Sequence, residues 1–279
     1  MRHETRISNS SAVVVNYNDG TKTIRCVDAL LSQRPHPPRE VLIIDNASSD
    51  DSLDRVASQL GRWNQGAVAV RSVPQPGNLG FAAGVNRGAA LASAPYLLVL
   101  NPDVELSPAA LGHLEAALDR DPSIALVAPR LVNRDLTPQD SVRRHYTRWS
   151  LLARTFPFSR LCAGGRVVRE HLMLDRPTDR PIAVDWAVGG CLLLRRAALG
   201  DRARPFDERF FLYFEDVDLA LRLQQRGFRV MYEPRAVALH DHRRASASLW
   251  PSRAKLAHLV SLVRFLHKHP GYLGGSEKR

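Results

Sequence analysis

Four short apolar runs, AVVVNYN (12–18), VLIIDN (41–46), AVRSV (69–73) and YLLVLN (96–101), alternate with three amphipathic segments, Thr21–Ser32, Ser49–Leu60 and Phe81–Ala92. β-branched runs of this length, each separated by one helical segment, specify βαβ units and a parallel sheet. VLIID and YLLVL are apolar at every position, which fits strands whose two faces are both covered by helices. The expected fold is α/β, with a Rossmann-like, mostly parallel central sheet flanked by helices. Ser107 followed by Pro108 offers a cap and first-turn residue for the next helix, and ALVAPRL (125–131) offers a further strand. From Asn133 to Pro181 the chain is rich in Arg, Pro and Gly and shows no clear period. Regularity resumes at VDWAVGGCLLLRRAAL (184–199), at a helix from Glu215 to Gln225 that Gly227 ends, and at RVMYEP (229–234).

A net charge of +11, from 39 basic and 28 acidic residues among 279, points to an anionic partner: nucleic acid, a nucleotide-linked substrate or an acidic membrane surface. The arginines are scattered, as in Arg143-Arg144, Arg195-Arg196 and Arg243-Arg244, and no zinc-finger spacing, aromatic RNA-binding signature or helix-turn-helix accompanies them. A basic nucleic-acid-binding module is therefore the rival reading, which steep salt-dependent binding to arbitrary duplex DNA would favour. No uninterrupted apolar stretch approaches the roughly 20 residues of a membrane span, and MRHETRISNSS lacks the apolar core of a signal peptide. These features predict a cytoplasmic protein. Cys26, Cys162 and Cys191 are odd in number and widely spaced, which suits reduced, structural thiols.

Ligands of open parallel sheets gather beyond the carboxyl ends of the strands. Here those ends carry Asn16-Tyr17-Asn18, Asp45-Asn46 and Asn101-Pro102-Asp103. Each alone is an ordinary turn former; together they predict a binding edge. GNLGFAAGVNRG (77–88) leads into a helix and could let backbone approach a phosphate, yet it is neither a dinucleotide fingerprint nor a Walker A loop. His240 follows the late strand and is either a surface residue or, if it lies near Asp103, part of a site for Mg²⁺ or Mn²⁺. In FFLYFEDVDLALRL (210–223), Glu215, Asp216 and Asp218 either complement a helix N-terminus or supply chemistry beside an apolar flank.

The segments VVVNYN, VLIIDNASSDDS, GNLGFAAGVNRG, LLVLNPDVEL, DWAVGGCLLLRR, FDERFFLYFEDVDLALRLQQRGF and ALHDH, in this order, resemble the family 2 glycosyltransferases, across roughly Ser11 to His242. LNPDV and FFLYFEDVDL look most like bacterial rhamnosyltransferases of surface-polysaccharide assembly. The resemblance implies the GT-A fold over residues 1–245, with a donor half at about 11–130 and an acceptor half at about 131–245. It implies sugar transfer with inversion from a dTDP- or UDP-sugar to a glycan or polyprenyl-diphosphate-linked glycan, and no nucleic-acid partner. Asp45 then contacts the donor's pyrimidine, with Asn16 and Tyr17 beside it, and Asn78, Phe81, Asn86 and Asn101 line the donor pocket. Asp103 matches the last acid of the family's D-x-D motif, and His240 a histidine that completes the metal shell for Mg²⁺ or Mn²⁺. Asp216 matches the catalytic base, Glu215 modulates it or binds the acceptor, and Trp186, Gly189 and Gly190 fall where the family shapes the acceptor pocket. Asn101 departs from the motif by replacing its first acid, which removes one anionic metal ligand. A sugar nucleotidyltransferase is a second rival, but its Gly- and Arg-rich, Lys-containing N-terminal loop has no counterpart here.

Asp218, four residues before Arg222, suggests a surface ion pair. The tail, 246–279, carries a basic amphipathic helix with Leu256, Leu259, Val260, Val263 and Leu266 on one stripe and Arg253, Lys255, Arg264 and Lys268 around it. Such a stripe either docks on its own domain or makes shallow contact with anionic lipid, placing the protein peripherally at the inner face of the membrane.

Overall fold

A computed structural model describes residues 7–155, 165–176, 179–200, 204–241 and 253–273. β1 (Ser10–Asn16), β2 (Glu40–Asp45), β3 (Ala69–Pro74) and β4 (Tyr96–Leu100) lie in the order β3-β2-β1-β4 and pair in parallel. They are connected through α1 (Gly20–Leu31), α2 (Ser52–Trp63) and α3 (Phe81–Leu91). Every residue of β1, β2 and β4 is buried, as their unbroken apolar runs require. α3 lies directly on β1: a Cβ added at Gly84 would come within 2.8 Å of Val15 Cγ1, and one at Gly88 would overlap Val13. Two glycines of GNLGFAAGVNRG thus serve close helix–strand packing.

The second half enlarges this sheet. β5 (Val104–Leu106), α4 (Ala110–Arg120) and β6 (Ile124–Val132) are followed by β7 (Val142–Arg143), α5 (Arg148–Thr155), α6 (Arg166–His171), β8 (Ile182–Val184) and β9 (Trp186–Ala187). β10 (Cys191–Arg195), α7 (Glu215–Gln225), β11 (Arg229–His240) and α8 (Arg253–Lys268) complete the order. The sheet continues β4-β10-β6-β11-β5, with β8 also on β11, while β7 and β9 form a small second sheet. β10 runs antiparallel to both β4 and β6, while β6 and β11 pair in parallel, so six strands share one direction and the reversed β10, β5 and β8 make the sheet mixed beyond its first four strands. The alternation that predicts parallel pairing stops at β4, and β10 enters instead from the turn after β9.

α4 starts at Ala110 rather than at Ser107. The Ser107 amide donates to Val237 O and Pro108 O accepts from Arg34, which ties both residues to neighbouring segments. The Arg195-Arg196 pair is structural: Arg195 donates to Leu118 O and Ile124 O around the end of α4, and Arg196 to Ala92 O and Ala94 O beyond α3. Cations at helix C-termini satisfy orphan carbonyls and oppose the negative end of the dipole. Cys26 and Cys191 are buried free thiols, with Cys191 pushed up to about 12 by burial, and so are unreactive. Cys162, His242, Arg243-Arg244 and Trp250 lie outside the described residues.

α8 docks on the core, but through a face other than the expected stripe. Leu262 and Phe265 are buried, Ser261 donates to Leu212 O at 2.8 Å, and Leu266 packs at the margin. Leu256, Leu259, Val260 and Val263 stay exposed. Among the described residues no helix is long and apolar enough to cross a membrane.

Candidate active site

The register of β5 on β11 sets Val104 opposite His240, and the Asp241 amide donates to Asp103 O at 2.9 Å. Residues 103 and 240 therefore share one end of the sheet, with Asp103 Oδ1 3.5 Å from His240 Nε2. Asp103 Oδ1 is buried and has no hydrogen-bond partner among the described residues. Burial raises the Asp103 carboxyl to about 6, the direction expected of a negative group held without adequate compensation. One carboxylate and one imidazole at this separation fit a divalent cation that completes its shell with substrate oxygens and water. Among the described residues no third His, Cys, Asp or Glu joins them.

Gly189 and Gly190 connect this pair to the acids of α7. The Gly189 amide donates to Asp216 Oδ2 at 3.0 Å, while a Cβ on Gly190 would sit 3.2 Å from His240 Cε1. The Asn101 amide donates to Gly190 O at 2.9 Å, which closes the link to the Asn101-Pro102-Asp103 segment. The two glycines thus form the joint between the predicted base and the predicted metal ligands.

The approach to α7 is conformationally costly. Tyr213 and Phe214 both have left-handed φ values, 70° and 67°, in the residues immediately before the acids. Bulky side chains rarely adopt this conformation, which persists only where surrounding structure enforces it. Phe210 and Phe214 are buried, and Phe214 packs on Tyr146 and Phe265 with ring centroids 5.7 and 5.4 Å away. Phe211 O accepts from the Phe81 amide, and Gly80, at φ 90°, lies so close that a Cβ there would meet Phe211 O at 2.6 Å. GNLGF and FFLYF are thereby fixed to each other.

The three acids differ sharply. Asp216 is partly buried and raised to about 6, chiefly by burial, although the Val217 and Gly189 amides and the Arg143 charge oppose that shift. Glu215 is buried, raised by burial and then by the Asp216 charge, and its Oε2 has no hydrogen-bond partner among the described residues. Asp218 is not the surface residue its sequence position suggests. It is fully buried and accepts from Arg222 at 2.8 Å, Lys268 at 2.6 Å and His269 at 2.8 Å. The last two come from the C-terminal segment, so its role depends on a tertiary contact that helix spacing cannot show.

On the donor side, Asp45 and Asn16 are joined at 2.7 Å and both buried. Asp45 also accepts from the amide and hydroxyl of Ser48, and Asn16 Oδ1 accepts from Thr23. Tyr17 beside them is exposed. Asn78 accepts from the Gly80 amide, shaping the loop that leads to Phe81, and Phe81 lies 3.9 Å from a Cβ position on Gly189. Asn86 is not brought to the pocket: its amide is occupied by Phe206 N, Phe206 O and Glu208. Trp186 is also a core residue, stacked on Tyr146 at 5.7 Å and donating to Arg144 O. Asn46, at the predicted binding edge, donates to Gly80 O, whereas sequence reasoning missed Arg143, buried near Asp216. Arg143 sits in the stretch without periodicity, where no signal marks it.

Residues 11–200 match the family model described as glycosyl transferase family 2. The chain belongs to that family. An N-acetylglucosaminyl-diphospho-decaprenol L-rhamnosyltransferase of Mycobacterium tuberculosis is 32% identical over 274 residues, covering 93% of this chain and 85% of the relative. Rhamnosyltransferase WbbL of Escherichia coli K12 is 39% identical over 83 residues, 30% of this chain and 31% of that protein. Among solved structures, GalNAc-T7 with UDP, GalNAc and Mn²⁺ superposes with a TM-score of 0.67 at 19% identity. That match covers 92% of this chain but only 47% of the GalNAc-T7 chain. The Pyrobaculum calidifontis mannosyltransferase PcManGT, in complex with GDP-Man and Mn²⁺, gives 0.59 at 18% identity, covering 94% of this chain and 65% of that one. These likenesses show the GT-A fold, and the protein is a family 2 glycosyltransferase.

Proposed function

We propose that this transferase moves rhamnose, with inversion, from a dTDP- or UDP-linked donor to a polyprenyl-diphosphate-linked glycan during cell-surface polysaccharide synthesis. The observation that carries the reading is the Gly189-Gly190 joint, which bonds the Asp216 carboxylate through the Gly189 amide and sets Gly190 against His240 of the His240–Asp103 pair. Inversion by direct displacement needs a base for the acceptor hydroxyl and, opposite it, a means of stabilising the leaving group. Asp216 takes the hydroxyl proton, and its amide contacts hold the carboxylate in place. Asp103 and His240 would hold a Mg²⁺ or Mn²⁺ ion, which would supply positive charge for the departing diphosphate. Asn101 adds no anionic charge, so selectivity between the two cations is weak. The rhamnosyl donor and lipid-linked acceptor are supported by the name and the extensive coverage of the mycobacterial relative.

A thermal-shift panel of UDP, dTDP and GDP with and without Mn²⁺ reports base and metal preference together, because ligand that binds only the folded state raises Tm. Asp103→Ala is expected to weaken Mn²⁺-dependent nucleoside-diphosphate binding at least about tenfold, since even outer-shell partners of metal ligands commonly contribute that much. Equal affinity in the variant and the parent, with and without metal, removes Asp103 from this role.

A cytoplasmic transferase acting on a lipid-linked acceptor works at a membrane surface. The exposed Leu256, Leu259, Val260 and Val263 stripe, on a chain of net charge +11, suits shallow insertion among anionic headgroups. The protein is therefore expected to co-sediment with phosphatidylglycerol-containing vesicles and not with phosphatidylcholine alone, and Leu259→Asp/Val263→Asp is expected to abolish that binding. Identical sedimentation of parent and variant contradicts the assignment.

A further inference from the structure

Gln139 lies in the stretch without periodicity, yet its side chain reaches the end of β11. Its Nε2 donates to His240 O at 2.8 Å and to Asn133 Oδ1 at 2.8 Å, while its Oε1 lies 2.9 Å from His240 Nδ1. A backbone carbonyl can only accept, so the amide end facing His240 O is the NH₂ group. The other end is therefore the oxygen, which also can only accept, and His240 Nδ1 must carry a proton.

A second chain of contacts fixes the same orientation independently. The Asp135 carboxylate accepts from the Thr137 hydroxyl at 2.6 Å, so Thr137 Oγ1 accepts from Asn133 Nδ2 at 2.8 Å. Asn133 must then turn its oxygen to Gln139 Nε2. Both routes end at the same polarity.

From this polarity we infer that Gln139 is a positioning residue: it holds neutral His240 as the Nδ1–H tautomer and aims the Nε2 lone pair at Asp103. Metal-binding histidines commonly have their second nitrogen fixed in this way, which sets ring orientation and tautomer. The inference rests on the cation reading of Asp103 and His240 and adds to it the residue that prepares the histidine. It also assigns a task to a segment whose sequence carries no motif. Because Gln139 N donates to Leu131 O, the loop is anchored to β6, beside β11, and the amide does not depend on a free-standing segment.

The test uses the full chain. Long-range ¹⁵N–¹H correlation NMR on metal-free protein with neutral imidazoles, the His240 signals assigned by their loss in His240→Gln, is expected to show protonated Nδ1 and unprotonated Nε2. Gln139→Ala is expected to lose that preference and to weaken Mn²⁺ binding, followed by electron paramagnetic resonance, by about 10–100-fold. An Nε2–H tautomer in the parent overturns the inference without any variant being made. So does a Gln139→Ala protein that keeps the tautomer, or one that binds Mn²⁺ as tightly as a parent that binds it. A parent that shows the Nδ1–H tautomer, with that preference lost in Gln139→Ala, but binds no Mn²⁺ upholds the positioning by Gln139 and sinks the cation reading instead.

Discussion

Asp216→Asn is expected to lower kcat by roughly 10²–10⁴-fold, the usual contribution of a positioned general base, with nucleoside-diphosphate affinity retained. Asn keeps the shape of the side chain and can still accept from the Gly189 amide, but it cannot take a proton from the acceptor. The Asp103–His240 pair, on the far side of the glycine joint, is untouched. Turnover of the Asn variant near that of the parent removes Asp216 from the base role.

The pH behaviour follows from the same environment. Burial raises the Asp216 carboxyl to about 6 from the ordinary 3.8. The base must be unprotonated, so kcat/KM is expected to rise with pH through about 6. Stability moves the other way. A carboxyl whose folded pKa exceeds its unfolded value favours the folded state when protonated; its contribution is full below about 4 and is lost as pH climbs through about 6. Asp216→Asn removes this loss but keeps one oxygen for the Gly189 and Val217 amides, so its stability relative to the parent is expected to rise between about pH 4 and about pH 6 by something on the order of 1–3 kcal/mol. Denaturant unfolding across that window checks the rise, and a variant–parent difference that stays constant from about pH 4 to neutral pH contradicts it. Catalytic competence and folding stability are opposed at this residue.

The second large effect is expected at Asp218. Asp218→Ala leaves Arg222, Lys268 and His269 around a buried void, and breaking a buried ion pair by removing one partner costs about 3–5 kcal/mol. For a chain of this size that corresponds to a fall in Tm of roughly 10 °C. Lys268 also contacts Asp207 at 2.7 Å, so the loss loosens both the loop before α7 and the seat of α8. Activity should fall with it, because α7 carries Glu215 and Asp216 on its first turn. The double replacement Asp218→Leu/Lys268→Met removes the acid and one of its cations and is expected to recover part of the stability, since apolar residues often match a buried ion pair and Arg222 keeps its bond to Pro205 O. A single Asp218→Ala variant within about 1 kcal/mol of the parent contradicts the buried-hub description, as that is the size expected of an exposed pair.

How far the sequence reached depended on whether local pattern or distant contact set the outcome. α1, α2 and α3 and the four parallel strands were legible because each is specified by its own periodicity and by the helices that must cover it. The boundaries of α4 were displaced because Ser107 and Pro108 are held by Val237 and Arg34, contacts that no window around them contains. Asn86 and Trp186 lie where the family resemblance places a pocket, yet Phe206, Glu208 and Tyr146 engage them. Arg143 and Gln139 lacked any pattern, since a buried polar side chain in an irregular segment is marked only by what it touches. The apolar stripe of α8 was correctly spaced but does not form the docking face, because Ser261 bonds Leu212 O in the segment before α7 and Leu262 and Phe265 enter the core.

The sequence by itself determined the alternating α/β framework, the polar ends of its strands and the acids at the start of α7, because those depend on residue type at short spacing. The tertiary structure alone decided that Asp103 and His240 share one register of β5 on β11, that two glycines join them to Asp216, and that Asp218 is a buried anchor for the C-terminal helix. Strand register and helix docking are set by surfaces far apart in the chain, and local periodicity carries no information about which of those surfaces will meet.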